Sequence, residues 1–218
     1  MTQFCSTARG LTPIEYLDSI GMLNERFIAA HAIFVTDSDI ALMKERDIGV
    51  SHNMVANIKS AKGLSPALQM HDLGLRVGLG TDGPMSGNTL DIIGQMGYVA
   101  KLHKLDNNDR TVMPPIKVVE MATIGGARAI HRENELGSIE TGKLADVVVV
   151  EVQSANMVPI YNPYSALVYS ANASNVATVI VNGKVIVKNK VLQTYDETKS
   201  RQMMIEFSDR VRAISKTL

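Results

Sequence analysis

The chain has 218 residues, enough for one large domain or two small ones. Hydrophobic residues make up 45% and charged residues 20%, and 22 basic side chains balance 22 acidic ones to a net charge of +0. That is an ordinary globular composition, and it argues against a nucleic-acid or anionic-membrane surface. The single Cys5 excludes an internal disulfide framework. No apolar run reaches the roughly 18 residues of a membrane span. Met1–Ser6 lacks the basic and apolar regions of a secretion signal, so a cytoplasmic location is expected.

Thr12 to Leu23 predicts a helix, with Thr12 as cap, Pro13 in the first turn, and Ile14, Leu17 and Ile20 at helical spacing. Arg26 to Val35 is almost continuously apolar and predicts a strand buried on both faces of a parallel sheet, with His31 its one polar side chain after Arg26. Thr36-Asp37-Ser38-Asp39 caps a helix running to about Arg46. Ile48 to Ser51 is a second strand, ending in His52-Asn53. Ser65-Pro66 opens the next helix and Gly74 closes it.

Leu75 to Gly80 is the third strand, followed by Thr81-Asp82-Gly83. The alternation of helix and strand predicts βα units and a parallel sheet. Chemistry in such folds sits at the C-terminal strand ends, where this chain places His31, His52 and Asp82. A carboxylate there can bind a metal, act as a base or cap a turn. On pattern alone His31 also fits a hydrogen-bonded core histidine, and His52 a hydrogen-bonded turn. His71, His103 and His131 read as surface or helix-end residues.

Leu90 to Lys104 predicts a long helix, Pro114-Pro115 opens another through Ala122, and Gly125-Gly126-Ala127-Arg128-Ala129 reads as a close-packed helical segment. From Leu136-Gly137 the pattern becomes β. Asp146, read as a structural turn partner, precedes the strand Val147–Val150, and Val176–Val181, Asn182-Gly183 and Lys184–Val187 form a hairpin signal. Tyr195 to Leu218 predicts a charged terminal helix with Met203, Met204, Phe207, Val211 and Ile214 on one packing face.

Six stretches carry a resemblance. They are Ile28-Ala29-Ala30-His31, Val50-Ser51-His52-Asn53, Leu79-Gly80-Thr81-Asp82-Gly83, Ala127-Arg128-Ala129-Ile130, the run from Leu136 to Asp146, and Val181-Asn182-Gly183-Lys184. In this order and spacing the chain resembles the C-terminal half of the amidohydrolase superfamily, in the branch of methylthioadenosine/S-adenosylhomocysteine deaminases and triazine hydrolases.

The resemblance implies an α/β fold: the C-terminal part of a metal-dependent-hydrolase (β/α) TIM barrel over residues 1–136, part of a small β-sandwich over 137–194, and a C-terminal helix over 195–218. It implies a hydrolase acting on C–N bonds that deaminates an aminated purine or related heterocycle with Zn2+ or Fe2+. His31 would assist metal-bound water, Asp82 would be metal ligand and proton shuttle, and His52 would line the substrate pocket. Met54 stands where the family often has proline, which leaves that pocket wall open. The family's His-x-His and His-x-x-Glu are missing, and no histidine precedes His31. The chain therefore reads as a truncated piece supplying one metal ligand, either inactive alone or complemented by an N-terminal fragment or another subunit.

Overall fold

The computed structural model describes residues 2–215; Met1 and the last three residues of the expected terminal helix, Lys216–Leu218, lie outside the described residues. The chain divides into two compact units, Met1–Lys143 with Val152–Asn175, and Leu144–Glu151 with Val176–Leu218.

The first unit alternates helix and strand. Its strands are β1 (Ile28–Ala30), β2 (Gly49–His52) and β3 (Arg76–Leu79). They form one open parallel sheet in the order β1-β2-β3. Helices α1 (Thr2–Arg9) and α2 (Pro13–Ser19) precede β1, and α3 (Asp37–Glu45) links β1 to β2. Helices α4 (Met54–Lys59) and α5 (Ala67–Asp72) link β2 to β3. After β3 come α6 (Pro84–Gly87), α7 (Ile92–Asp106), α8 (Pro115–Ala122), α9 (Ile124–Ala129) and, later in the chain, α10 (Pro163–Tyr169). No helix among the described residues is long and apolar enough to cross a membrane.

Local chemistry explains the starts of these helices. Thr12 and Glu15 form a capping box on α2, and Thr36 and Asp39 form one on α3, each satisfying two orphan backbone donors. The buried Asp39 carboxylate also accepts from the Thr12 hydroxyl, so the two caps are tied together. Gly74 follows α5 with φ +82, the left-handed conformation that suits glycine after a helix end.

The sheet register sets its two faces. Ala29, Val50 and Val77 lie in one row and are all buried. They belong to a core filled largely by Ile40, Met43, Met54, Met70, Val99 and Met121. On the opposite face Ala30, Gly49, Ser51 and Gly78 are small. A Cβ on Gly49 would lie 1.9 Å from the Ala129 carbonyl oxygen, and one on Gly78 would lie 2.6 Å from the Gly126 Cα. Glycine at those two strand positions is what lets α9 lie directly on β2 and β3, the close approach expected of the Gly125-Gly126 segment.

The first strand is shorter than its apolar run suggested. β1 stops at Ala30, because His31 and Ala32 take positive φ values of 68° and 45° and turn the chain out of the sheet. Nor is it buried on both faces: Ile28 and Ala30 are exposed, on the face where α9 packs on β2 and β3.

The second unit is an antiparallel sheet in the order β4-β5-β6-β7, formed by β4 (Val147–Val150), β5 (Val176–Val181), β6 (Lys184–Lys188) and β7 (Val191–Leu192). Asn182 and Gly183 have φ values of 47° and 75°, as a type I′ hairpin turn requires. The Asp146 carboxylate accepts from the Asn182 N–H at 2.7 Å, the structural turn role expected of it. Helix α11 (Glu197–Ser215) ends the described chain. The side chains expected on one packing face of that helix, Met203, Met204, Phe207, Val211 and Ile214, are exposed, and Ile205 with them.

Candidate active site

His31 follows β1 directly, and Asp82 stands three residues beyond the end of β3. Both have positive φ, 68° and 60°. Histidine and aspartate tolerate that region better than bulky residues, and such strain gathers where side-chain aim matters. The two side chains converge across the end of β2, with His31 Nε2 3.5 Å from Asp82 Oδ2. Gly80 eases this. A Cβ there would sit 2.2 Å from Asn53 Oδ1 and 2.3 Å from Ser51 Oγ, so any larger residue would have to displace those two side chains.

The Gly83 N–H donates to Asp82 Oδ1 at 2.6 Å. That bond is the main reason the carboxyl is held below its ordinary range; the Ser86 hydroxyl and His31 act in the same direction, against a partial desolvation that raises it. Asp82 is thus kept ionised at neutral pH, ready to accept a proton or hold a cation. His31 is held from its other side, its Nδ1 lying 2.7 Å from Oδ1 of the buried Asn57 on α4. The sequence reading passed over Asn57, and no local pattern marks it, since its partner is 26 residues away.

These groups line an open cavity of about 710 Å³. Its polar residues include His31, Asn57, Asp82 and Ser86, and its apolar wall includes Ile14, Phe27, Ile28 and Phe34. Mostly apolar walls with a few convergent polar groups are the usual make-up of a small-molecule site. Lys59 and Lys62 stand at the same cavity.

His52 takes a different place from the one expected. It does not line this cavity but is fully buried, its Nε2 3.2 Å from Nε2 of His103 on α7. Burial pushes its pKa down to about 3, with His103 adding to the effect. His103, expected at the surface, is equally interior. The signal was present: Met96, Val99, Ala100 and His103 fall at helical spacing on one stripe, and α7 buries that stripe. Met54 also turns inward, into the core rather than the cavity wall. His131 lies elsewhere, its Nε2 2.9 Å from the Asp47 carbonyl oxygen.

Among the described residues no group of three or more histidine, cysteine or acidic side chains is arranged to hold a metal ion. A catalytic zinc takes about three protein ligands. Among the described residues, Asp82 with His31 beside it is a smaller set than that.

Comparison with known proteins sets this geometry in a family. The profile of the amidohydrolase family matches residues 3–186. The chain is 38% identical over 209 residues to the 5-methylthioadenosine/S-adenosylhomocysteine deaminase of Syntrophobacter fumaroxidans, covering 96% of this chain and 46% of that protein. The crystal structure of an adenosine deaminase from Xanthomonas campestris with bound zinc superposes with a TM-score of 0.94 at 32% identity, over 97% of this chain and 48% of that one. The zinc-complexed atrazine chlorohydrolase of Arthrobacter aurescens shares the fold, with a TM-score of 0.85 at 24% identity, over 91% of this chain and 44% of that one. The chain spans about half the length of the relatives it matches, and corresponds to their C-terminal half. With a profile match over nearly all of its parallel unit and relatives this similar, the chain belongs to the amidohydrolase family.

Proposed function

We propose that this chain contributes the His31–Asp82 pair to a hydrolytic deaminase that releases ammonia from an adenosine derivative or related heterocyclic amine. The observation that carries the reading is the meeting of His31 Nε2 and Asp82 Oδ2, 3.5 Å apart, at a largely apolar cavity beyond the ends of parallel strands. The names of the relatives, deaminases of adenosine derivatives, support the substrate class.

In this reading a water oxygen bonds to the amino-bearing ring carbon while ionised Asp82 accepts its proton. The C–N bond then breaks, and the amino group leaves as ammonia with a proton returned from the site. His31 holds and orients the attacking water. His52 enters as a buried support of the β2 end, and the direct substrate contact expected of it passes to the cavity-lining groups. The cofactor we propose is Zn2+ or Fe2+, with Asp82 one ligand and the others from outside these 218 residues. Residues 1–136 then belong to a (β/α) TIM barrel and 137–194 to a small sandwich, in a cytoplasmic enzyme without nucleic-acid or membrane partners.

The test is ammonia release from adenosine, 5′-deoxyadenosine, methylthioadenosine and S-adenosylhomocysteine by zinc-supplied protein. Turnover of one of them that His31→Ala reduces by about 10²-fold or more supports the reading; turnover untouched by that change contradicts it. A second reading is favoured by the short ligand set among the described residues: the chain is inactive alone and works only with a complementing chain, or as part of a homo-oligomer. Elemental analysis after gel filtration separates the two. About one zinc per isolated chain supports activity of the chain itself, and none supports the complemented form.

A further inference from the structure

Helix α6 begins two residues after Asp82 and is a single turn, Pro84–Gly87. A helix that short does not hold its own shape in water, because nucleation costs more than one or two hydrogen bonds return. Its N-cap, Gly83, makes no side-chain cap, and the carbonyls of a last helical turn find no partner within the helix. Bonds from outside must hold it. Lys59, the last residue of α4, supplies two. Its ammonium donates to the Met85 carbonyl at 3.1 Å and to Oδ1 of Asn88, the residue that closes α6 in the left-handed conformation. A lysine in the last turn of a helix ordinarily serves the exposed carbonyls of that helix. Lys59 instead reaches a segment 26 residues further along the chain.

What this segment holds is the Asp82 carboxylate. The Gly83 N–H donates to Asp82 Oδ1 at 2.6 Å, and the Ser86 hydroxyl bonds the same carboxylate. The segment is also tightly wound. A Cβ on Gly87 would lie 2.9 Å from the Thr81 carbonyl oxygen, so a shift of α6 is felt next to Asp82. Helix α4 carries Asn57 as well, whose side-chain amide lies 2.7 Å from His31 Nδ1. One helix thus reaches both arms of the candidate site. We propose that Lys59 is a positioning residue: by clamping α6 to the end of α4 it fixes where the Asp82 carboxylate stands relative to His31. The clamp is a property of the chain itself, whereas its catalytic use rests on the deaminase reading above.

The experiment is 15N relaxation of the backbone amides in the full 218-residue chain without added metal. It compares wild type with Lys59→Met, which keeps the apolar stem and loses the ammonium, and with Lys59→Arg, which can still donate to both oxygens. Order parameters of about 0.85 at Gly83 and from Met85 to Asn88 are expected in wild type and Lys59→Arg, and values below about 0.6 in Lys59→Met. The amides of β2 and β3 and the urea midpoint are expected to stay unchanged, which a general loss of structure would not allow. Values below about 0.6 in wild type, an unmoved segment in Lys59→Met, or equal mobility in Lys59→Arg and Lys59→Met would each overturn the proposal. Turnover by zinc-supplied protein with a complementing chain tests the catalytic half. Lys59→Met is expected to lower kcat by about 10-fold or more with KM held within about threefold, and Lys59→Arg to restore it. A rise in KM confined to S-adenosylhomocysteine, whose tail carries a carboxylate, would make Lys59 a substrate contact and overturn the positioning role. Wild type without turnover counts against the deaminase reading, and the order parameters still decide the clamp.

Discussion

The two units of this chain solve the same problem to different degrees. All fully buried apolar residues among those described, from Ile14 to Ala171, belong to the parallel unit. The antiparallel unit has none. Its Val148, Val149, Val181, Val185 and Val191 are exposed, and the apolar side chains of α11 from Met203 to Ile214 are 48–64% exposed. Hydrogen-bonded ladders and a well-formed turn are thus enough to shape the second unit, but burial of apolar area, the main driving force of folding, is concentrated in the first. The candidate site stands on the unit with the core, where backbone bonds from His31 N–H to the Ser51 carbonyl and from Gly80 N–H to the His52 carbonyl tie the strand ends together.

The sharpest way to break this comparison is to strike the parallel unit where it has no slack. Gly49→Val puts a Cβ against the Ala129 carbonyl, backbone against backbone, and neither can yield cheaply. A loss of about 3 kcal/mol is expected in urea denaturation followed by circular dichroism, and an unchanged midpoint would show that α9 does not sit tightly on β2. Truncation in the core comes next. Met43→Ala should cost about 2–4 kcal/mol by the same measurement, whereas Val148→Ala, at a half-exposed position of the second sheet, should cost under about 1 kcal/mol. Equal losses would erase the difference between the units.

Acid should act through the parallel unit as well. The unfolded chain takes up a proton at His52 near the ordinary value of 6.5, while the folded chain, with that ring held down to about 3, refuses it. Stability from this residue is therefore intact above pH 6.5 and falls as the pH drops from there toward 3. The slope is about 1.4 kcal/mol per pH unit for one group. His103, also lowered by burial, acts in the same sense. His52→Leu should flatten the acid limb of a stability-against-pH curve by roughly one proton; an unaltered limb would mean that His52 is not buried neutral. The smallest effect is expected on α11, where Phe207→Ser should move the urea midpoint by no more than about 0.5 kcal/mol equivalent.

Much of this was legible in the sequence, for identifiable reasons. Caps such as Thr12 with Glu15 and Thr36 with Asp39 are local, and so is Asn182-Gly183; each places its element from a few residues. His31 and Asp82 were visible because they break apolar strands at their C-terminal ends. What was hidden depends on distant partners. The strand around His31 looked longer because its apolar residues Phe27, Ile28 and Phe34 line a cavity instead of a sheet interior. The resemblance implies a pocket role for His52, and no local pattern signals that α7 brings His103 onto it from 51 positions away. The short helices α4 and α6 have too few residues to show a period, and Asn57 on the first of them was missed with it.

The account rests most on Asp82, and one comparison tests it directly: ammonia release by zinc-supplied protein, wild type against Asp82→Asn, with the chain alone and with a complementing chain that carries the N-terminal half of a relative. Asp82→Asn keeps the size of the side chain and removes its charge and its capacity to accept a proton. Activity in wild type that falls by about 10³-fold or more in Asp82→Asn is the predicted result. Equal, measurable rates in the two proteins would contradict the assignment of the strand-end pair as the site.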